Sequence, residues 1–516
     1  MAFSGPAYRL PLNGSWNCNE NYEELPVGDL AFESRNADIH NGGPEKRGGT
    51  QTVGSQIASS LSSLGGGMLI KRNAGSRHTY LAGSDGVLYR NGSSIQTGRS
   101  VSAYTHFTVI DDKMFLANGV DAVKVDTGSA IATIATPHAD WTGTTQPKCI
   151  GLHTKGGSRR ALAWGVPGKE NYLYMSVTGS FEDFNGAGSV RVPMDIQDGY
   201  GVVNCVSKDG TLWIQGKSDT YILDDSSTTT SDWAVYRASF KGGVHSPRHC
   251  TVIDNHIFAM NTEGDIYEVQ TAEQVRDYKE ASIIEPFFIH NYIRDQVNLS
   301  RIDQFHLCYD PRIKALRVFI VRTGQTTVDT CLVYLVKQSK WSPPHDSQDN
   351  SSNSGFSASA SYLAETSAGA KKCYTQDYNG YTWELSSTTK TDNGNGYKFD
   401  VYTGWTTLER PGMEKRFPYG FLHYKSRGGY QINLRWWVDN NEQATEAVVL
   451  DASGGTLGSF VLDTDVLGTI GIDKKEFQLG QIGEKIRFSL NNSGAGNDFV
   501  ISHLIIPFKE LGLRHV

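Results

Sequence analysis

A strand pattern that recurs at a fixed distance constrains this chain more than any other feature. Phe107 to Val125 reads FTVIDDKMFLANGVDAVKV, and Cys250 to Val269 reads CTVIDNHIFAMNTEGDIYEV. Thr108-Val109-Ile110-Asp111 matches Thr251-Val252-Ile253-Asp254, Met114-Phe115 matches Ile257-Phe258, and Asn118 matches Asn261. Each copy is an apolar alternation, a polar turn and a second strand. The offset, 251 − 108 = 143 residues, is about three units of ~48, within the range of propeller blades.

A second element repeats as acidic or amide residue, Gly, any residue, apolar residue, aromatic. Ser84-Asp85-Gly86-Val87-Leu88-Tyr89 and Lys208-Asp209-Gly210-Thr211-Leu212-Trp213 are the close copies. Thr262-Glu263-Gly264-Asp265-Ile266-Tyr267 and Tyr378-Asn379-Gly380-Tyr381-Thr382-Trp383 are looser ones. Asp-Gly and Asn-Gly supply the positive φ of a tight hairpin, and the following residues alternate inward and outward. The closing aromatic is expected to fill the space between neighbouring sheets. The expected fold is therefore all-β: a β-propeller of six to eight blades, seven favoured, with a β-sandwich platform domain.

The platform is read from the region after about Lys398. Gly429 to Asp439 is GYQINLRWWVD, with Ile432, Leu434, Trp436 and Val438 alternating against Gln431, Asn433, Arg435 and Trp437. Phe477 to Leu490 offers a further pair of strands, and Phe499 to Pro507 reads FVISHLIIP. Such alternation marks half-buried strands. Three Ser/Thr/Asn-rich stretches are read as loops on one face: Asp224 to Thr230, Asp346 to Ala370, and Ser386 to Gly396. The expected division is an arm over residues 1–50 packing with the platform rather than the blades, a propeller over 51–395, and the platform over 396–516. Very little helix is expected, with one short turn at Ala272 to Lys279.

Composition agrees with short strands and tight turns. The chain has 516 residues, 55 of them Gly, and 20% are charged; a coiled coil or helical array would be richer in Ala, Leu, Glu and Lys. The net charge of −7 argues against a tight grip on duplex DNA, which normally needs a basic patch. No window approaches a membrane-spanning apolar run, and Met1 to Leu12 has no apolar core of signal-peptide length, so no secretory signal is expected. The seven cysteines, Cys18, Cys149, Cys205, Cys250, Cys308, Cys331 and Cys373, are dispersed with no CxxC pair. They read as free, mostly buried thiols of a reducing compartment.

Signals for chemistry are weak. Gly210-x5-Gly216-Lys217-Ser218 has one residue too many for a phosphate-binding loop, and Asp219 to Leu223 continues as a strand rather than a helix. HExxH, GxSxG and GxGxxG do not occur, and the 14 histidines are scattered. No catalytic residue, cofactor or metal is expected, and the chain is read as not an enzyme. The alternative is a carbohydrate-binding or sialidase-like propeller. Lys208 to Trp213 shares Asp, Gly, Thr and an aromatic with the Asp-box of sialidases, at altered spacing.

Glu33 to Thr50 reads ESRNADIHNGGPEKRGGT. It resembles the opening of podophage tail nozzle proteins, the tail tubular protein B or tail stabilisation family. There an Asn-rich strand precedes a Lys-Arg-Gly or Lys-Arg-Pro-Gly turn that leads into the first propeller strand; here Gly48 stands where Pro is common. Tyr402-Thr403-Gly404-Trp405 followed by Arg410-Pro411-Gly412-Met413-Glu414-Lys415-Arg416 is similar to the family's passage from propeller to platform. The resemblance spans the layout of the whole chain and about a tenth of it in motif detail. It implies a structural protein of the virion tail, assembled in the host cytoplasm. It implies a homohexameric nozzle that extends and closes the DNA channel below the dodecameric adaptor, the head-to-tail connector, and carries tail fibres or spikes. Duplex DNA would pass through its lumen without specific binding. Six copies carry about 6 × −7 = −42 charges, and an acidic or neutral wall avoids holding DNA by counterion release. Asp224, Asp225, Asp232, Asp346 and Asp349 are the candidate lumen-loop residues.

Overall fold

The computed structural model describes residues 5–71, 75–196, 199–239, 242–272, 277–346, 355–365, 369–443, 445–451 and 472–513. Seven antiparallel four-stranded sheets make the centre of the chain. Six are continuous in sequence, over residues 63–96, 106–133, 149–193, 204–237, 250–282 and 306–346 (blades 1 to 6). Blade 7 takes three strands from 358–387 and its outer strand, Gly49–Thr52, from the start of the chain. This is a seven-bladed β-propeller. The first strands of blades 7, 1, 2, 3 and 4 run side by side, as do those of blades 5, 6 and 7, so they form the inner wall.

The sequence repeats map onto equivalent hairpins. Thr108 to Asp111 and Thr251 to Asp254 end the inner strands of blades 2 and 5, three blades apart. Both lead into two-residue turns with positive φ, at Asp111 and Asp112 and at Asp254 and Asn255. The four Gly turns are not all equivalent. Gly86, Gly264 and Gly380 join the second and third strands of blades 1, 5 and 7, whereas Asp209-Gly210 joins the first and second of blade 4. Of their aromatics, Trp213, Tyr267 and Trp383 are buried between sheets. Trp383 Nε1 donates to Asp377 Oδ2 at 2.9 Å, and the Tyr267 hydroxyl donates to Gly243 O at 2.8 Å. Tyr89 instead stays half-buried and bonds Asp85 of its own turn.

Two expectations are corrected. The stretch Asp346 to Ala370 is not only loop: Ala358–Glu365 is the inner strand of blade 7. Its Ala-Ser-Ala-Ser start carries no apolar alternation, so it reads as loop. Of the expected turn at 272–279, residues 273–276 lie outside the described residues, and Asp277–Ser282 is a strand pairing against Ile266–Ala272. The α-helix among the described residues is Ile289–Gln296, between blades 5 and 6, whose Ile289, Tyr292 and Ile293 are buried at helical spacing.

The remaining strands form two facing sheets. The long strand Met413–Ser426 pairs with Asp473–Gly483 on one edge and with Phe499–Pro507 and Lys509–Leu513 on the other. Ala7–Pro11 and Glu45–Lys46 then pair with Phe499–Pro507, and Ala37–Asp38 pairs with Glu45–Lys46. The second sheet holds Phe399–Tyr402, Ile486–Asn492, Tyr430–Val438, Asn441–Glu442 and Glu446–Leu450. Ile432, Leu434, Trp436 and Val438 are buried, as their alternation requires. Phe477 of the first sheet packs on Trp436 and Phe488 of the second, at ring centroid distances of 6.4 and 6.2 Å.

The N-terminal arm packs with both units, not with the platform alone. Trp16 N donates to Trp341 O of blade 6 at 2.7 Å, and Cys18 N donates to Phe287 O at 2.9 Å. The Trp16 indole lies edge-on to Tyr292 of the helix at 5.0 Å. An arm with little core of its own is stabilised by inserting Trp16 and Leu12 into the cleft between two larger bodies.

Candidate functional site: an axial cavity and a buried junction

Two polar constellations stand out. The first lines a cavity of about 790 Å³ at the end of the propeller where the inner strands begin. Tight backbone makes room for it: Gly65 has φ +133°, and a Cβ there would lie 2.2 Å from Thr105 O. Arg248 sits in the turn Pro247–His249 before blade 5. Its guanidinium lies 4.2 Å from the Tyr104 ring, donates to Ser359 O of blade 7, and donates to His306 Nδ1 of blade 6 at 2.8 Å. One side chain thus joins four parts of the ring.

His306 Nδ1 also lies 3.2 Å from Gln304 O, and Nε2 is buried without a hydrogen-bond partner. The imidazole stacks on Phe319 at 4.5 Å. Burial pushes the His306 pKa well below its ordinary value. Burial, with His245 and Arg248 nearby, pushes His249 down to about 3. Both rings are therefore neutral at pH 7. Lys148, Lys217 and Arg248 bring positive charge to the lining; Glu170 and Asp303 are its carboxylates among the described residues. Asp303 accepts from His245 Nε2 at 2.6 Å. An aromatic wall with a few donors suits a small polar or anionic ligand.

The second constellation is Lys46-Arg47, where arm, propeller and platform meet. Both side chains are fully buried. Arg47 holds Asp392 through two bonds, Nη1 to Oδ1 at 2.9 Å and Nη2 to Oδ2 at 2.6 Å. Its Nε donates to Asn36 Oδ1 at 2.8 Å, and its remaining protons go to Gly48 O and Asp346 O. All five donors are used. The guanidinium also stacks on Tyr397 at 3.7 Å and Phe356 at 4.4 Å. Lys46 Nζ donates to Gly494 O at 2.5 Å, and burial pushes its pKa down to about 7.

The candidate lumen residues scatter. Asp232 is exposed in the short 3₁₀ turn Thr230–Asp232, where Ser227 Oγ donates to it at 3.0 Å. Asp224 ends the third strand of blade 4. Asp225 is not a free loop carboxylate: its side chain is 7% exposed and meets His153 Nε2 at 3.0 Å and Lys155 Nζ at 2.5 Å. Asp346 is not in a loop at all. It ends the outer strand of blade 6, is 4% exposed, accepts from Asn36 at 3.0 Å and lies 3.9 Å from Arg35. Both are neutralised by cations of the fold, so neither supplies charge to a channel wall. Asp349 lies outside the described residues. Gly210 to Ser218 turns from strand to strand, with no helix for a phosphate. All seven cysteines are free. Arg248 and His306 were missed because nothing in their spacing marks them; only ring closure brings them together.

No family model and no curated protein sequence matches the chain. Solved structures share the propeller fold at low similarity. An exo-β-1,3-galactanase from Phanerochaete chrysosporium is 8% identical over 79% of this chain and 97% of its own, with a TM-score of 0.27. An ancestral GH74 enzyme is 12% identical over 81% and 56%, with a TM-score of 0.38. The Pan2 WD40 domain of Neurospora crassa is 11% identical over 66% and 95%, with a TM-score of 0.38. The expectation that the chain is not an enzyme is corrected here: glycoside hydrolases are among the similar structures.

Proposed function

We propose that the chain is a structural subunit of a short-tailed phage tail, a nozzle protein that forms a hexameric ring below the adaptor and carries fibres or spikes. One observation carries the reading. The segment that resembles nozzle proteins, Glu33 to Thr50, is also the segment that welds propeller to platform. Arg47 is 0% exposed within it, and the strand Gly49–Thr52, which begins at its end, closes blade 7. Lys46-Arg47-Gly48 carries the chain from the platform ladder into the strand that closes blade 7. A rigid two-body subunit suits a tube wall under internal pressure better than a hinged one. DNA would cross the lumen without specific contacts, and the protein would reside in the virion tail.

The test is assembly. Purified chain mixed with the adaptor of the same phage should sediment as a ring-bearing complex, and electron microscopy should count six copies. A chain that stays monomeric beside a well-folded adaptor ring would refute the reading.

A carbohydrate-binding propeller is the second reading, favoured by the axial cavity with its Arg248 and unpartnered His306 Nε2. A glycan array separates the two. Binding abolished by Arg248→Ala supports a glycan reader, whereas an empty array leaves the cavity as a by-product of ring closure.

A further inference from the structure

A third cluster lies beside the junction and belongs to neither reading. Asp38 and Glu45 are register partners across the short ladder Ala37–Asp38 and Glu45–Lys46. Residues directly opposite in an antiparallel pair project from one face. Their carboxylates therefore share a face, and both residues are nearly buried, at 2% and 5% exposure. The loop between the strands folds His40 back over them, with Nε2 3.4 Å from Glu45 Oε1. One ligand-type atom from each of Asp38, His40 and Glu45 lies within 4.8 Å of the other two.

Two like charges at a buried cross-strand pair destabilise a ladder unless something neutralises them. The protein answers Asp38 with His345, whose Nε2 is 3.1 Å from Oδ1, and gives Glu45 less. Lys390 Nζ is 3.9 Å from Glu45 Oε2, and Asn41 Nδ2 donates to Glu45 Oε1 at 2.9 Å. Asp38 Oδ2 accepts from Gly48 N at 3.2 Å. Asp38 Oδ1 and His40 Nδ1 are buried and accept or donate no hydrogen bond.

The surroundings are arranged as support for a ligand. His345 Nδ1 faces Arg317 Nη1, a donor, at 3.2 Å, so its proton sits on Nε2. That atom faces Asp38 Oδ1 at 3.1 Å, off the line of a good hydrogen bond. Arg317 is itself held by buried Asp310 through its Nε at 2.8 Å. Metal-binding carboxylates are oriented by such outer partners. A four-coordinate ion with bonds of about 2.0–2.1 Å holds its donors about 3.3 Å apart, near the 3.4 Å separation of His40 Nε2 and Glu45 Oε1. Imidazole with two carboxylates selects a divalent transition metal over magnesium or calcium, which prefer all-oxygen shells.

We propose that Asp38, His40 and Glu45 bind a structural divalent transition-metal ion of the zinc type, with His345 orienting Asp38 and a water completing the shell beside half-exposed His40. The ion would pin the arm's hairpin to the platform strand Phe499–Pro507, which Glu45 pairs at Val500. No redox or group-transfer step is involved.

The test uses the full chain, stripped with a chelator and titrated with Zn²⁺ and with Co²⁺ as a spectroscopic probe. One ion per chain is expected, with Co²⁺ giving the intense visible bands of a four-coordinate site and Zn²⁺ raising the melting temperature. His40→Ala sits at a half-exposed position and should fold, yet bind at least about 10-fold more weakly. Glu45→Gln removes a charge and should lose the Co²⁺ bands while gaining stability without metal. Retention of full Zn²⁺ affinity by His40→Ala, or absence of any site tighter than the scattered surface histidines, would overturn the proposal.

Discussion

Arg47 and Asp392 form the ion pair on which the junction depends. Both are fully buried, and removing one partner leaves an uncompensated charge, at a cost of about 3–5 kcal/mol. Arg47→Ala and Asp392→Ala should each lower stability by that amount, measured by urea denaturation with tryptophan fluorescence. The double variant should cost less than the sum. Additive losses would mean that the pair is not coupled. The resemblance implied a turn at Lys46-Arg47-Gly48, but Lys46 ends a strand, and the burial of Arg47 could not be read because Asp392 lies 345 residues away in sequence. The buried histidines set a pH dependence at the same scale. His249 has its pKa lowered to about 3 by burial first, then by His245 and Arg248, and His306 is lowered as well. The unfolded state therefore binds protons that the folded state refuses. Stability should be complete above about pH 6.5 and fall as pH drops from there toward 3. Denaturation midpoints at pH 7 and pH 5 check this: His249→Gln should show a smaller acid loss than the unsubstituted chain. An identical loss would mean that His249 titrates normally in the fold.

Among the elements, the strand Gly49–Thr52 matters most for its length. It pairs with Thr382–Ser387 and completes blade 7 with residues from the other end of the propeller. A Cβ at Gly49 would lie 2.0 Å from Thr391 O and 2.7 Å from Thr391 N; these are backbone atoms that cannot swing aside. Gly49→Val should therefore open the closure. Limited proteolysis should then cut near blade 7 early while cutting elsewhere is unchanged; an unaltered pattern would show that the closure tolerates the shift. Gly-Thr-Gln-Thr carries no alternation, so the strand could not be read from sequence. The inner strand Ala358–Glu365 was hidden for a related reason, since its small residues look like a loop. By contrast, Tyr430–Val438 was readable along its whole length, because one face is buried and the other is not. The acidic-Gly hairpins were readable because positive φ is a local demand. Cross-blade contacts, such as Arg248 to His306 and Ser359, exist only after the ring has closed.

At the scale of the whole molecule, seven blades and a two-sheet platform share an arm that touches both. Trp16 contacts the helix between blades 5 and 6, and Ala7–Pro11 lies in the platform sheet. Two bodies tied at three places should move as one. The repeat offset gave the blade spacing, since 143 residues proved to separate blades 2 and 5. The angle between the bodies could not be read in advance, because it depends on buried side chains far apart in the chain. The proposed ring follows from the likeness of Glu33 to Thr50 to nozzle proteins and from this rigidity. With Asp225 and Asp346 held in ion pairs, Asp224 and Asp232 are the described members of the candidate set left to supply charge. The most direct measurement is the mass of the assembled particle, taken by sedimentation with the adaptor present and imaged by electron microscopy. Six copies around an open channel are expected. A stable monomer or trimer beside an intact adaptor ring would contradict the nozzle assignment outright.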